Sequence, residues 1–240
     1  MSSARFVLLP LCSTLLLRAA LGAFPFYHVC STSGNFTANG LYESNLNKLT
    51  SFLYAKTPSL GFGLGSIGQY PDQVYGLALC RGDQSASDCK ACVADAGAEI
   101  RRRCPRNKGA VMWFDECMFK YLDTDFFGQI DNANRFSFYN INNVSDPEAF
   151  NSKVRGLLTG LVEEAYTVPK LYATGEMGLE DKMKLYGLVQ CTRDLSATEC
   201  KECLEGAIGK LPSCCDGKEG GRVLGGSCNI RYEIYTFVNV

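Results

Sequence analysis

The residues with the most chemical potential in this chain are cysteines. Cys80, Cys89 and Cys92 read C-x8-C-x2-C, and Cys191, Cys200 and Cys203 repeat that pattern. Three chemistries use such clusters. Cys-x2-Cys is a ligand spacing for zinc. It is also the spacing of thiol redox pairs, in which a low-pKa thiolate attacks. In an oxidising compartment the same sulfurs close structural disulfides. The chain has a single histidine, His28, which leaves zinc short of its usual mixed donors. A further cysteine stands at the far end of each x8 spacer, so each redox-like pair has a partner at hand. Structural disulfides are therefore expected, with no metal and no cofactor.

Other reactive residue types are sparse. His28 titrates near neutrality but has no nucleophile near it in sequence, so a structural or surface role is expected. Glu163 and Glu164 are adjacent on a helical stretch and point apart, which makes a solvated face and not a catalytic pair. There is no Gly-x-Ser-x-Gly, His-Glu-x-x-His or phosphate loop, so an enzyme is not expected. Arg101, Arg102 and Arg103, with Arg106 and Lys108, make a local basic patch. Cations at a helix C-terminus account for it through the helix dipole; a polyanionic glycan or membrane surface is the alternative. The net charge of −1 provides no global basic field, and no nucleic-acid partner is expected.

The N-terminus points to a compartment. Phe6–Leu17 is a short apolar run, Arg18 ends it, and Ala20-Leu21-Gly22-Ala23 offers small residues for cleavage. Residues 1–23 have the layout of a secretory signal peptide, too short to span a membrane stably. Cleavage removes Cys12 from the 13 cysteines and leaves an even number, as a disulfide framework requires. No later stretch reaches the ~20 apolar residues of a spanning helix. The chain ends without a hydrophobic tail. A secreted, extracellular protein without stable membrane insertion is expected. Asn35-Phe36-Thr37 and Asn143-Val144-Ser145 are glycosylation sequons in keeping with that route.

The elements that must position these cysteines come twice. An offset of 111 residues carries Cys80 to Cys191, Cys104 to Cys215 and Cys117 to Cys228. It also carries Ser85 to Ser196, Asp88 to Glu199, Tyr121 to Tyr232 and Phe126 to Phe237. This is an internal duplication. Two domains follow, residues 24–130 and 131–240, with the boundary in the polar run Asp131–Arg135. Helical spacing is expected over 41–54 and 150–165. Ser85 with Asp88, and Ser196 with Glu199, are capping-box patterns that start helices running to about Arg103 and Leu211. Strands are expected over 26–30, 73–79, 110–114, 116–122, 185–190, 222–224 and 229–238, and the Gly- and Ser-rich stretch 61–68 suits a turn or an irregular strand. If Gly225-Gly226 is the turn of the last hairpin, Arg222 faces Asn229.

The tandem C-x8-C-x2-C signature, the Cys-x12-Cys after each first cluster member set, and the closing segment Gly220-Gly221-Arg222-Val223-Leu224 with Ser227-Cys228-Asn229-Ile230-Arg231-Tyr232-Glu233 resemble plant cysteine-rich repeat secretory proteins. Their unit is the ginkbilobin-homologous, or stress-antifungal, domain, which also forms the ectodomain of cysteine-rich receptor-like kinases. The resemblance spans essentially the whole mature chain. It implies an α+β fold of two tandem domains, each a roughly five-stranded antiparallel sheet with two helices on one face. It implies the pairs Cys30–Cys104, Cys80–Cys89, Cys92–Cys117, Cys191–Cys200 and Cys203–Cys228. The second copy departs from the pattern: Tyr139 stands where the first has Cys30, and Cys214 is added beside Cys215. A vicinal bridge, two free thiols or a bond to another chain remain open for that pair.

The resemblance also implies a ligand site. Mannose-binding domains of this type use an Asn after the first cysteine position, an Arg in Gly-x-Arg-Val and a Glu in the final Tyr-Glu. These fall on Asn140, Arg222 and Glu233. In the first copy the positions hold Ser31, Val111 and Leu122, so only the second is expected to bind. Sugar hydroxyls donate and accept, and this set offers a donor fork, an acceptor and an amide that does both. With the turn at Gly225-Gly226, however, Glu233 lies four residues from the position facing Arg222, roughly 13 Å along the strand. The implied function is a mannose-type carbohydrate-binding, antifungal defence protein of the plant apoplast. The alternative is an extracellular protein-interaction module, like a receptor ectodomain without its kinase, with a receptor-like protein as partner.

Overall fold

A computed structural model describes residues 25–179 and 183–239. The expected signal peptide and Cys12 lie outside them. The first half runs β1 (Tyr27–Cys30), α1 (Leu41–Leu60), β2 (Phe62–Ile67), β3 (Val74–Cys80), α2 (Ala86–Arg103), β4 (Ala110–Trp113) and β5 (Cys117–Leu122). The second runs β6 (Arg135–Tyr139), α3 (Pro147–Ala165), β7 (Tyr172–Gly178), β8 (Lys184–Cys191), α4 (Ala197–Ile208), the one-turn α5 (Leu211–Cys214), β9 (Gly221–Gly225) and β10 (Cys228–Glu233). Each half is an antiparallel five-stranded sheet, in the orders β1-β4-β5-β3-β2 and β6-β9-β10-β8-β7. The fold is α+β, duplicated.

Local chemistry starts and stops the helices. Ser85 Oγ accepts from the Asp88 amide, and Ser196 with Glu199 forms a complete reciprocal capping box. Asp146 caps α3 just before Pro147. In α1, Tyr42, Leu46, Leu49 and Leu53 make the buried stripe. That helix runs past the expected end at residue 54 to Leu60 and stops at Gly61, whose φ of 72° is open to glycine. The last expected helix is shorter: α4 ends at Ile208, and only the turn Leu211–Cys214 follows Gly209 and Lys210.

Three expectations need correction. The Gly-rich stretch is a regular strand, β2, paired with β3 from Phe62↔Leu79 to Ile67↔Val74. The stretch read as a polar linker leads straight into β6, which pairs with β9. Its first residue, Asp131, has a largely covered side chain that accepts from Lys120 Nζ at 2.8 Å and from the Ala133 and Asn134 amides. The closing hairpin turns at Gly226-Ser227, so Arg222 faces Arg231 and Asn229 faces Leu224. The shift of two residues brings Glu233 one same-face position from Arg222's cross-strand partner.

Six disulfides join all twelve cysteines among the described residues. Cys80–Cys89 and Cys92–Cys117 tie α2 to β3 and β5, and Cys191–Cys200 and Cys203–Cys228 tie α4 to β8 and β10. Cys30–Cys104 ties β1 to the end of α2, and Cys214 is joined to Cys215. Sulfurs so engaged are neither thiolate ligands nor attacking thiols.

Phe119, Tyr121 and Tyr232 face the helices, inside each domain's own core. The two halves therefore do not meet through these closing-strand aromatics. They meet through the opposite sheet face, where Leu77, Leu79, Val111, Trp113 and Met118 pack with Phe126, Leu224 and Phe136. Two buried hydrogen bonds lock this seam: Trp113 Nε1 donates to Gly225 O at 3.0 Å, and Gln190 Nε2 donates to Cys80 O at 3.0 Å. Gly82 lies flat under the Tyr172 ring, where any Cβ would collide with the ring carbons. We expect Gly82→Val to cost about 1–3 kcal/mol, the usual range for overpacking. A lowered thermal midpoint together with an enlarged scattering radius would show the halves parting. Unchanged values would mean that the ring swings aside freely.

Candidate functional site

The tip of β6 and the β9–β10 hairpin bring Asn140, Arg222 and Glu233 into one open cleft of about 310 Å³. Each strand contributes by register. The Asn140 amide donates to Gly220 O at 2.8 Å, which sets the end of β6 beside the start of β9. Arg222 and Arg231 are direct cross-strand neighbours, and Glu233 follows Arg231 on the same face. Gly220 lies beneath Glu233, where an added side chain would displace the carboxylate from its present position.

Two like charges directly opposite on a sheet repel. Here a carboxylate from the other half relieves them. Asp115, at the β4–β5 turn of the first domain, accepts from Arg222 Nη1 at 2.7 Å and from Arg231 Nη1 at 3.1 Å. Its other oxygen lies 3.4 Å from Arg81 Nη1, and Arg81 also grips Asp83. Arg231 Nε donates to Glu233 Oε1 at 3.0 Å. From the cleft's Glu233, Arg231 and Arg222 a chain of alternating charges thus runs across the seam to Asp115 and Arg81. Burial lowers the Arg222 guanidinium to about 10, with Asp115 opposing that drop and Arg231 adding to it. Burial also pushes the Glu233 carboxyl above its usual range against the pull of Arg231. Arg222 remains a cation at neutral pH, and its Nε has no partner among the described residues.

The walls are aromatic. Phe26, Phe138, Tyr139 and Tyr235 line the cleft. Phe26 is 48% exposed, Tyr139 56% and Tyr235 50%, although Arg222 covers one face of Phe26 at 5.0 Å. Such rings pair an apolar face with a wet edge. Asn140 is partly committed: its Oδ1 accepts from the Asn142 amide at 3.0 Å.

The other candidates sit elsewhere. Val111 is buried in the seam, and Ser31 bonds to Ser33, so the first domain's equivalent positions have no polar cluster. His28 pairs with Met112 at an edge strand, and its pKa is lowered by burial and by Arg103. The basic run is neutralised locally: Arg101 bonds Glu43, while Arg102 and Arg103 share Glu99. Glu163 bonds Lys201. Asn35 and Asn143 are both exposed. Among the described residues, no helix is long and apolar enough to cross a membrane.

Asp115 is the residue that sequence reasoning passed over. Its counterpart 111 residues on is Gly226, so a charge appears in one copy at a turn where the other has none.

Comparison with known proteins agrees with this architecture. Residues 29–124 and 137–235 each match the family described as salt stress response/antifungal. An antimicrobial ginkbilobin-2-like protein of Castanea crenata is 54% identical over 226 residues, 94% of this chain and 94% of that one. Cysteine-rich repeat secretory protein 38 of Arabidopsis thaliana is 56% identical over 227 residues, 94% of this chain and 90% of that one. The crystal structure of the tandem DUF26 ectodomain of the Arabidopsis thaliana cysteine-rich receptor-like protein PDLP8 superposes with a TM-score of 0.78 at 26% identity. That match covers 89% of this chain and 100% of the ectodomain.

Proposed function

Because the chain belongs to the salt stress response/antifungal family, we propose that it is a secreted binding protein of plant defence whose second domain holds a mannose-type glycan at Asn140, Arg222 and Glu233. Its relatives named antimicrobial and secretory proteins support the extracellular, antifungal setting. The exposed sequons at Asn35 and Asn143 are proposed to carry glycans acquired on that route. Binding, not catalysis, is the proposed activity.

One observation carries the reading: a donor fork, a carboxylate and an amide converge on the floor of a single aromatic-walled cleft. A pyranose has the complementary shape, an apolar C–H face and a rim of hydroxyls that donate and accept. Glu233 accepts and Asn140 does both, while the Arg222 Nε, buried and without a partner among the described residues, becomes a donor to the sugar on a small shift of the side chain. Hydrogen bonds to charged groups contribute about 1.5–3 kcal/mol each, so one lost partner is felt about tenfold or more in affinity.

Titration of the oxidised protein with mannose, followed by amide NMR, tests this. Millimolar mannose should move the Arg222 and Glu233 amides, and Glu233→Gln should weaken the response at least about tenfold. A spectrum indifferent to mannose would remove the reading. A second reading is favoured by Asp115, which already occupies Arg222 from within the chain. On that reading the charged floor welds the two domains, and their outer surface meets a receptor-like protein. The same null titration would leave this second reading standing.

A further inference from the structure

The cleft does not end at the second domain. Phe26 belongs to the first, where its backbone amide donates to Trp113 O at 2.8 Å beside β1. From there a row of rings crosses the seam between two edge strands. Phe26 lies 6.3 Å from Phe138, Tyr27 lies 6.3 Å from Phe138, and Tyr27 lies 4.1 Å from Phe136. Phe26, Tyr27, Phe138 and Tyr139 are all substantially exposed. An aromatic row open to water and continuous with a polar floor is uncommon on a monomer's surface and marks a contact site.

We propose that Asn140, Arg222 and Glu233 form only the end subsite of a longer, composite site. The glycan continues over Phe26, so the ligand is an oligosaccharide of at least two rings and its recognition needs both domains. This rests on the reading of the cleft as a glycan site. The chemistry selects a saccharide chain over a lipid or a peptide. The exposed wall is made of flat rings, not flexible aliphatic side chains, and it runs directly into paired charges. A sugar chain presents, ring after ring, a flat C–H face to such a wall and hydroxyls to such a floor. Arg222 also lies over the half-exposed Phe26 ring and restrains it, so less freedom remains to be lost on binding. The same guanidinium joins the two domains' contributions through Asp115. The two halves of the site are thereby held in fixed relation.

The test is calorimetry of the full oxidised chain with mannose, mannobiose and mannotriose. Wild type should bind the trisaccharide about tenfold more tightly than the monosaccharide, because the added ring gains an aromatic contact together with the area it buries. Phe26→Ala should bring the ratio of the two affinities close to one, and Phe26→Tyr should preserve it. Phe26→Tyr should keep the wild-type thermal midpoint, and Phe26→Ala, which gives up the contacts with Arg222 and Phe138, should lower it modestly while the chain stays folded at the temperature of the titration. Equal affinities for one and three rings in wild type would overturn the composite site while leaving the end subsite intact. So would a length dependence untouched by Phe26→Ala. Absence of all binding would overturn the end subsite and the extension together.

Discussion

Removing the Cys30–Cys104 bridge by paired serine substitution is expected to lower stability by about 4 kcal/mol, while removing Cys214–Cys215 in the same way should cost less than about 1 kcal/mol. The contrast follows from loop length. The first bridge spans 74 residues and the second spans one. In the chain-entropy account a disulfide acts by restricting the unfolded chain, and the restriction grows with the logarithm of the loop it closes. A bond between neighbours restricts almost nothing. Cys30–Cys104 is also the only bridge that reaches the edge strand β1, whose neighbour Phe26 lines the cleft. In the second domain Tyr139 stands in its place, and β6 is held by its pairing with β9 and by Phe136 in the seam. Urea denaturation of the oxidised variants measures both costs. Equal losses for the two bridges would show that strain or local packing, not loop closure, sets their worth.

The duplication was legible because covalent chemistry constrains sequence tightly. A cysteine that must meet Cys89 or Cys200 cannot drift, and a Ser that caps a helix needs its acidic partner three residues on. The register of the last hairpin was harder to read. Gly225 and Gly226 both suit a turn, and the sequence alone favours neither. The first copy resolves it: there β4 and β5 pair Trp113 with Met118 and turn around Asp115-Glu116. Moved by the repeat offset, that apex falls on Gly226-Ser227. The strand β7, Tyr172-Ala-Thr-Gly-Glu-Met-Gly178, was hidden by its glycines and its glutamate, which lower strand propensity. Gly175 and Gly187 lie under Leu157 and Leu161 of α3, so small residues there serve helix packing. Asp115 was invisible for a different reason. Its partners Arg222 and Arg231 lie in the other domain, and no local pattern reports a contact made by packing two sheets together.

Lys120 is a buried cation paired with Asp131, and Lys120→Ala is expected to cost about 3–5 kcal/mol. The Lys120 side chain is 2% exposed and its Nζ lies 2.8 Å from Oδ2 of Asp131, a side chain 9% exposed. The face of the Phe126 ring is 4.3 Å away and adds a cation–π contact. Removing the cation strands a buried carboxylate at the junction of the two domains, where the Asp131 amide also donates to Ser227 Oγ. The pH dependence gives a signature that mere loss of packing would not. Burial alone would raise the Asp131 pKa, but Lys120 and Asn134 together hold it below its ordinary value. A depressed folded pKa stabilises above the unfolded value of about 4 and is lost as pH falls through the folded one. Without Lys120 the burial effect dominates, the folded pKa rises, and the sign reverses. Lys120→Met should therefore be further below wild type at pH 7 than at pH 4, as measured by urea midpoints. Adding Asp131→Asn should recover most of the loss at pH 7, because the charge is then gone while the amide can still accept from the Asn134 backbone. A deficit for Lys120→Met that stayed constant across that range, and that Asp131→Asn left unrepaired, would assign the cost to the missing side-chain volume and not to the ion pair.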